Sequence, residues 1–304
     1  MNYLVIGAGG VGGCLAAKMG DAGLEVDALA RGGNYEAMKR HGLLFHGLDR
    51  DYVLPAERCF TESEYAGSPD FILLCTKTYS IGPLLPFLKR IAHPGAVLLP
   101  LMNGLFNGAR LAELLPEYEV IDGCIYLGGY LSAPGEVTQT GKVIRPVFGE
   151  FGEEHLQAAL SQFAADLQQA GIEYVYSHEI RKEILLKFVW ISCYAAACIH
   201  FDCDSTPLIE EPEKHAFFES LAAEEFALAG PLGIALQDGA KENLLSFFWS
   251  ATKPGTWPSA YMDYKKGGRV ETDTLIAEPL RIGEAAGLTM PCLRAVAEGI
   301  GLSV

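Results

Sequence analysis

The chain has 304 residues, half of which are hydrophobic, and its formal net charge is −15. This length allows two domains with separate cores, and the acidic surface excludes nucleic acids and anionic membranes as electrostatically attracted partners. Apolar runs are predicted to stay below the roughly 20 residues that a membrane span needs, and the first strand begins without a targeting signal, so a cytoplasmic protein is predicted.

Eight cysteines are scattered through the chain and lie mostly in apolar segments, which indicates buried thiols in a reducing compartment. They are Cys14, Cys59, Cys75, Cys124, Cys193, Cys198, Cys203 and Cys292. The cluster of His, Asp and Cys at 198–203 lacks the spacing of common metal sites, so no metal is predicted.

A glycine-rich turn follows the first predicted strand, which covers residues 3–6. The sequence GAGGVG starts directly after this strand and matches the G-x-G-x-x-G pattern of dinucleotide-binding folds. The first glycine permits the tight turn, the second lets a pyrophosphate approach the backbone, and the third lets helix and strand pack closely. The helix N-terminus adds free N–H groups and a partial positive charge. The residues predicted to hold the cofactor here are Gly7, Gly9, Gly10, Val11 and Gly12.

The segments after the turn favour a cofactor site over a purely conformational glycine turn. A helix at 14–19 and an apolar strand at 26–30 complete a strand–helix–strand unit. Arg31 follows this strand, at the point where NAD sites carry an acidic residue and NADP sites an arginine. A guanidinium can bind a 2′-phosphate through two hydrogen bonds, so NADP(H) is predicted. The alternative is a solvated arginine, while Asp27 within the strand is predicted to point elsewhere.

Two further buried strands are predicted in the same sheet. The third strand covers 71–75 and is followed by Lys77, and another strand covers 96–101 and is followed by Asn103. Ligands in open α/β sheets lie beyond the carboxyl ends of the strands, so Lys77 and Asn103 are predicted at the ligand edge. The alternation of strands and helical connections predicts a doubly wound sheet.

The remaining elements predict a domain boundary near residue 178. Predicted before it are a helix at 35–41, strands at 43–45, 52–54, 121–129, 135–138 and 143–148, a helix at 154–170 and a strand at 173–176. Predicted after it are helices at 180–200, 213–230, 237–250 and 272–286. The fold class is therefore α/β, with a Rossmann-type NADP-binding domain over 1–178 and an all-helical substrate and catalytic domain over 179–304.

A single cation, Lys187, lies inside the apolar helical segment at 183–200. Burial of an ammonium is costly unless it is paired, and desolvation lowers the pKa of a buried lysine. Lys187 is therefore a candidate proton donor. The alternative is a lysine that extends from the helix edge into solvent.

A polar turn predicted at 259–273 completes a pattern that resembles the ketopantoate reductase (2-dehydropantoate 2-reductase) family. Ser259 stands twelve residues before Glu271, which begins the sequence Glu-Thr-Asp, at the spacing of the serine and glutamate of that family. The resemblance covers nearly the whole chain. The other matching segments are the glycine turn and those around Arg31, Lys77, Asn103 and Lys187.

The resemblance implies an NADPH-dependent reductase of a small 2-keto acid, with ketopantoate as the leading substrate. Lys187 would protonate the oxygen that becomes negative when hydride reaches the ketone carbon. Glu271 would pair with Lys187 or hydrogen-bond the substrate, and Ser259 would bind the substrate carboxylate. Asn103 would lie beside the nicotinamide and the reacting carbonyl, and Lys77 would bind the cofactor near its ribose or phosphates. Each residue alone also has a structural explanation, as a helix cap, a solvated charge or a turn former.

The chain departs from the family pattern in three polar residues. Ile191 and Ala195 stand four and eight residues after Lys187, where the family commonly has asparagines, and Thr256 replaces an asparagine three residues before the serine. Tyr194, on nearly the same helix face, is predicted to supply a hydroxyl to the substrate instead. Two alternatives stay open: a reductase of a different 2-keto acid, and an NADP-sensing protein without catalysis. The sequence does not choose between a monomer and a homodimer.

Overall fold

The computed structural model of the protein describes residues 1–149 and 156–304. Two compact units make up these residues, with Met1–Met102 and Phe106–Ile180 in the first unit and Asn103–Leu105 and Arg181–Val304 in the second. The assignment of cofactor binding to 1–178 and of substrate binding to 179–304 stays a prediction.

The first unit contains two β-sheets and the helices that cover them. Its strands are β1 Asn2–Ile6, β2 Glu25–Leu29, β3 Leu43–His46, β4 Asp51–Leu54, β5 Cys59–Phe60, β6 Phe71–Leu74, β7 Val97–Pro100, β8 Glu119–Val120, β9 Asp122–Ala133, β10 Glu136–Gly149 and β11 Val175–Tyr176. Its helices are α1 Gly10–Asp21, α2 Gly32–His41, α3 Ile81–Ile91, α4 Asn107–Leu114 and α5 Gln157–Gln169. The predicted helix at 154–170 starts outside the described residues.

A parallel sheet with the strand order β5-β2-β1-β6-β7-β8 forms the centre of the first unit. Side chains of β1 alternate between two hydrophobic cores: Tyr3 and Val5 enter one, and Leu4 and Ile6 enter the other. Both faces of the sheet are therefore buried, which explains the uninterrupted apolar sequence of its central strands. The predicted Rossmann-type, doubly wound sheet is confirmed.

The strand predicted at 71–75 is not the third strand of this sheet. It forms β6 and pairs with β1, whereas β5 occupies the edge position beside β2. The sequence did not reveal β5 because it has only two residues, Cys59 and Phe60. The chain adds β2 and β5 on one side of β1 and then β6, β7 and β8 on the other side. The direction of winding therefore reverses between β1 and β6, and the glycine turn lies at this topological switch point.

The second sheet has the order β11-β10-β3-β4, with β9 paired to β10. Strands β3 and β4, predicted at 43–45 and 52–54, pair with each other in antiparallel orientation. By contrast, the two strands predicted at 135–138 and 143–148 form one strand, β10, whose pairing with β9 shifts register between Gln139 and Ile144. The break predicted between these two strands is therefore an irregularity inside one long strand.

The second unit is helical in the residues that the structure describes, as predicted. Its helices are α6 Ile180–Phe201, α7 Ser205–Glu210, α8 Pro212–Phe226, α9 Ala240–Ala251, α10 Ser259–Lys265, α11 Glu278–Ala285 and α12 Pro291–Gly299, and a π-helical turn Asp273–Ala277 precedes α11. The predicted polar turn at 259–273 was wrong in its first half, because α10 occupies it. This helix is short and lies between Pro258 and Gly267, so its sequence shows little helical periodicity.

Helix α6 is long and apolar enough to cross a membrane by length and composition alone. The prediction that apolar runs stay too short was therefore wrong for this segment. Most of the helix is buried inside the protein, and side chains such as Phe188, Cys193 and Ala197 lie in the hydrophobic core of the second unit. Its composition is that of a core helix.

Candidate active site

The glycine turn has the geometry that its sequence predicts. Gly7 follows β1 with φ +97°, a conformation that favours glycine. The backbone N–H groups of Gly7 and Ala8 donate to the carbonyl oxygen of Leu29, both at 3.2 Å, and Gly9 N donates to Gly7 O at 2.8 Å. Helix α1 then begins at Gly10. The turn thus joins the ends of β1 and β2 to the start of α1.

The glycines differ in what a side chain would meet at each position. A Cβ on Gly12 would collide with the carbonyl oxygen of Gly7, whereas a Cβ on Gly9 would meet no atom within 4 Å. A Cβ on Gly10 would lie 2.5 Å from the carbonyl oxygen of Gly129 in β9. Close packing therefore requires the third glycine, and the second faces open space at the helix start. This arrangement fits a pyrophosphate group.

Asn34 also supports the glycine turn, a role that was not predicted from the sequence. Its Nδ2 donates to the carbonyl oxygen of Ala8 at 3.0 Å, and its Oδ1 accepts from Gly135 N at 2.7 Å. One amide in α2 thus joins the turn to the segment between β9 and β10. Val11, in the first turn of α1, packs against the larger core of the first unit.

Arg31 is exposed and lies directly after β2 as the N-cap residue of α2. This position suits contact with a cofactor 2′-phosphate. Asp27 has a different partner: its Oδ1 accepts from Arg58 Nη1 at 3.2 Å, and burial raises the pKa of its carboxyl group. Lys77 is half-buried after β6, at the same sheet edge as the glycine turn because β6 pairs with β1 in parallel.

Lys187 is buried in the second unit, with 5% of its surface exposed. Its Nζ donates to Asn103 Oδ1 at 2.8 Å. The two residues are 84 positions apart in the chain, and both belong to the second unit because Asn103–Leu105 groups with it. The burial excludes a side chain that extends into solvent. The fold therefore brings together Lys187 and Asn103, which were predicted from the sequence as separate candidate residues.

Glu271 lies just before the π-helical turn of the second unit, and Ser259 lies in α10. Glu271 is buried, with 4% exposure, and its carbonyl oxygen accepts from Leu275 N at 2.9 Å in the π-helical segment. Ser259 is exposed as the first residue of α10. The predicted pairing of Glu271 with Lys187 and the binding of a carboxylate by Ser259 stay predictions.

The Tyr194 hydroxyl already contacts the protein. It lies 2.8 Å from the carbonyl oxygen of Thr256 and 2.9 Å from Thr256 Oγ1. Burial raises the pKa of Tyr194 to about 12, so the hydroxyl is protonated and donates at neutral pH. Ile191 and Ala195 follow Lys187 along one helix face and pack in the apolar core of the second unit. These two positions therefore supply no polar group.

Comparisons with known proteins identify the family. The model of the family described as Ketopantoate reductase PanE/ApbA matches residues 3–153, and that of its C-terminal part matches residues 179–302. A 2-dehydropantoate 2-reductase from Nostoc is 25% identical over 300 residues, which cover 95% of this chain and 91% of the relative. An uncharacterized oxidoreductase of Bacillus subtilis, YkpB, is 27% identical over 211 residues, which cover 69% of this chain and 68% of the relative.

Solved structures agree with this result. The crystal structure of 2-dehydropantoate 2-reductase from Geobacter metallireducens has a TM-score of 0.89 and 25% identity, and the match covers 99% of both chains. A D-mandelate dehydrogenase in complex with NADH and anilino(oxo)acetate has a TM-score of 0.88 at 21% identity, over 99% of this chain and 97% of that chain, and shows the shared fold. The chain therefore belongs to the ketopantoate reductase family and is an NADP-dependent oxidoreductase that reduces a 2-keto acid.

Proposed function

We propose that this enzyme reduces 2-dehydropantoate (ketopantoate) to pantoate with NADPH, and that Lys187 is the proton donor. The observation that carries the proposal is the buried Lys187 ammonium, which donates to Asn103 Oδ1 at 2.8 Å. The names of several relatives, 2-dehydropantoate 2-reductases, support this choice of substrate.

The first unit would hold the cofactor through its backbone and two cations. The glycine turn and the start of α1 would bind the pyrophosphate, Arg31 the 2′-phosphate, and Lys77 the ribose or a phosphate. Bound NADPH supplies the hydride. The positive groups matter because the chain carries a net charge of −15, which repels an anionic cofactor unless local positive charge is present.

The second unit would supply the acid. As the ketone carbon accepts hydride, its oxygen gains negative charge, and the Lys187 ammonium first stabilises this oxygen and then gives it a proton. The ketone, one hydride and one proton together form the alcohol, and the neutral amine regains a proton from solvent. Asn103 would fix the direction of Nζ, since its Oδ1 accepts one of the three ammonium hydrogens.

Two further residues complete the proposed site. Ser259 would donate its hydroxyl to the substrate carboxylate, which its exposed position permits. Glu271 would keep Lys187 charged or accept a hydrogen bond from the substrate. Lys187 and Glu271 are both buried, and buried ionisable groups are typical of catalytic sites, which favours catalysis over NADP sensing alone.

A second candidate is a 2-keto acid with an apolar side chain. It is favoured by Ile191 and Ala195, which replace amides with apolar groups, and by the Tyr194 hydroxyl, which bonds to Thr256. A substrate hydroxyl without a partner in this region would weaken binding by roughly 1–3 kcal/mol.

The rates of NADPH oxidation with 2-dehydropantoate, pyruvate, 2-oxoisovalerate and phenylglyoxylate separate the two candidates. We expect the highest kcat/KM for 2-dehydropantoate. An equal or higher value for another keto acid contradicts this substrate assignment, and no turnover of any keto acid contradicts the reductase. The variant Ile191→Asn should raise the preference for 2-dehydropantoate by about 10-fold, since an amide can bond its hydroxyl, whereas Ile191→Val should not.

The substrate in either case is a small 2-keto acid. A cytoplasmic location stays a prediction from composition, and the choice between a monomer and a homodimer stays open. Neither affects the chemistry proposed for Lys187.

A further inference from the structure

We propose that Ser205 is a positioning residue for substrate binding: it holds the loop of residues 252–258, and through this loop it places Ser259. The inference rests on the proposed role of Ser259 in binding the substrate carboxylate. It assigns no contact between Ser205 and the substrate.

Ser205 is the first residue of α7, and its side chain is fully buried. Its Oγ donates to the carbonyl oxygen of Lys253 at 2.6 Å and accepts from Thr256 N at 3.0 Å. Its backbone N–H donates to the carbonyl oxygen of Thr256 at 3.1 Å. A single residue thus makes three hydrogen bonds to the backbone of the loop, at both ends of a four-residue turn.

Neighbouring hydroxyls extend this attachment. Thr206 Oγ1 accepts from Gly255 N at 2.9 Å, and Thr256 Oγ1 donates to the carbonyl oxygen of Lys253 at 2.8 Å. The Tyr194 hydroxyl, 2.8 Å from the carbonyl oxygen of Thr256, joins the loop to α6. Since α6 also carries Lys187, the loop is attached to the helix of the proposed proton donor.

The loop needs such attachment because its own side chains do not bury it. Lys253, Gly255 and Trp257 are exposed, and exposed loops with proline and glycine move unless hydrogen bonds hold them. The loop contains Pro254 and Pro258, and Gly255 has φ +76°. The loop is therefore held in one conformation by hydrogen bonds to its backbone, and Ser205 makes three of them.

The attachment is transmitted to Ser259 by a short and stiff connection. Thr256 is three residues before Ser259, and the ring of Trp257 between them stacks on Tyr261 of α10, with ring centroids 5.2 Å apart and an angle of 1°. Met262 N also donates to the carbonyl oxygen of Pro258 at 3.1 Å, which fixes the start of α10. A displaced Thr256 would therefore displace Ser259.

This arrangement has a specific kinetic consequence. A carboxylate is common to all 2-keto acids, so a loose loop should raise KM by the same factor for each of them. The hydrogen bond between Lys187 and Asn103 does not involve the loop, so kcat should change little. A residue that recognises the substrate side chain would instead change KM for some keto acids and not for others.

The test uses the full-length enzyme with Ser205→Ala. We expect KM to rise about 10-fold for 2-dehydropantoate and for pyruvate alike, with kcat within about 2-fold of the unchanged enzyme; a 10-fold change corresponds to about 1.4 kcal/mol. Hydrogen exchange at the Thr256 amide, which donates to Ser205 Oγ, should become at least about 10-fold faster. The control is Ser250→Ala, since the exposed Ser250 hydroxyl bonds only within its own helix, to Phe247 O at 2.9 Å.

Each outcome decides the proposal. An unchanged KM in Ser205→Ala overturns it, as does a KM change for one keto acid only or a loss confined to kcat. If exchange at Thr256 accelerates but KM does not change, Ser205 holds the loop and the role of Ser259 is wrong. If the unchanged enzyme reduces no keto acid, the proposed function itself fails. Should Ser205→Ala not fold, Thr206→Val removes another attachment of the same loop, the hydroxyl that accepts from Gly255 N at 2.9 Å, and should raise KM for both substrates about 3-fold; an unchanged KM there overturns the proposal.

Discussion

The two units of the molecule form their candidate sites in different ways. In the first unit, the candidate cofactor site lies mostly in one short stretch of backbone, Gly7 to Gly12, whereas the second unit brings together side chains from distant parts of the chain, with Lys187 bonded to Asn103 across 84 positions. Backbone geometry decides the first site, and burial of charge decides the second. Substitutions should therefore act through steric contact in the glycine turn, and through electrostatics at Arg31 and in the second unit.

The largest effect is expected at the glycine turn. Gly12 is needed for close packing and Gly9 faces open space, so substitutions at these two positions distinguish a packing effect from an effect on ligand access. Gly12→Ala places a Cβ against Gly7 O and 2.9 Å from Val5 Cγ1, so it should destabilise the fold by about 1–3 kcal/mol and weaken NADPH binding more than about 100-fold. Gly9→Ala meets no protein atom within 4 Å, so the Tm should stay near that of the unchanged enzyme while NADPH affinity falls about 10-fold. Thermal unfolding and NADPH fluorescence titration measure both. Equal behaviour of the two variants would contradict a steric origin.

A smaller effect is expected at Arg31, the side chain proposed to bind the 2′-phosphate of the cofactor. Arg31→Ala should weaken NADPH binding about 10- to 100-fold and leave NADH binding nearly unchanged, because only NADPH carries the 2′-phosphate. The matched control is Arg40→Ala, an exposed arginine in the same helix, α2. Titration of each variant with NADPH and with NADH measures the four affinities. An equal loss for NADPH and NADH would place the 2′-phosphate elsewhere.

The smallest effect concerns another buried acidic residue of the second unit, Glu225. Its carboxyl group is fully buried, and Oε1 lies 2.5 Å from Ser192 Oγ. Burial raises the pKa of Glu225 well above its ordinary value of 4.5, and the nearby Glu224 adds to the shift. The folded state therefore keeps a proton that the unfolded state loses above about pH 4.5. Stability falls as pH rises from 4.5 towards the raised pKa.

Glu225→Gln removes this titration and keeps the size of the side chain. We expect its Tm to exceed that of the unchanged enzyme by roughly 2 °C or more at pH 8, with no gain at pH 4.5. Thermal unfolding between pH 4.5 and 8.5 measures the difference. Glu219→Gln serves as the control, since the Glu219 side chain is 46% exposed and lies 3.4 Å from the half-buried His215. A parallel pH dependence in both variants would show that Glu225 is ionised in the folded state.

The difference between the units also determines how much the sequence could predict. Strands β6 and β7 were predicted because both faces are buried and their sequences are continuously apolar. The glycine turn was predicted because its chemistry is contained in six consecutive residues. In the second unit, Lys187 was identified because a cation in an apolar helix is unusual, although its contact with Asn103 required the fold.

Residues that act through distant hydrogen bonds gave no local signal. Asn34 accepts from Gly135 N, 101 positions away, and Ser205 accepts from Thr256 N, 51 positions away. An asparagine near a helix start and a serine two residues before a proline are common at caps and turns, so neither stood out. Strand β5 and helix α10 were missed for a different reason, because elements of two and seven residues are too short to show periodicity.

The central claim is that the Lys187 ammonium protonates the reduced keto oxygen. Its most direct test is the rate of NADPH oxidation by Lys187→Ala with 2-dehydropantoate in a single turnover, with NADPH affinity measured on the same sample and Lys89→Ala, an exposed lysine in α3, as the control. For Lys187→Ala we expect a rate at least about 100-fold below that of the unchanged enzyme, with an NADPH affinity within about 3-fold of that of the unchanged enzyme. A rate within about 3-fold of the unchanged enzyme would contradict it.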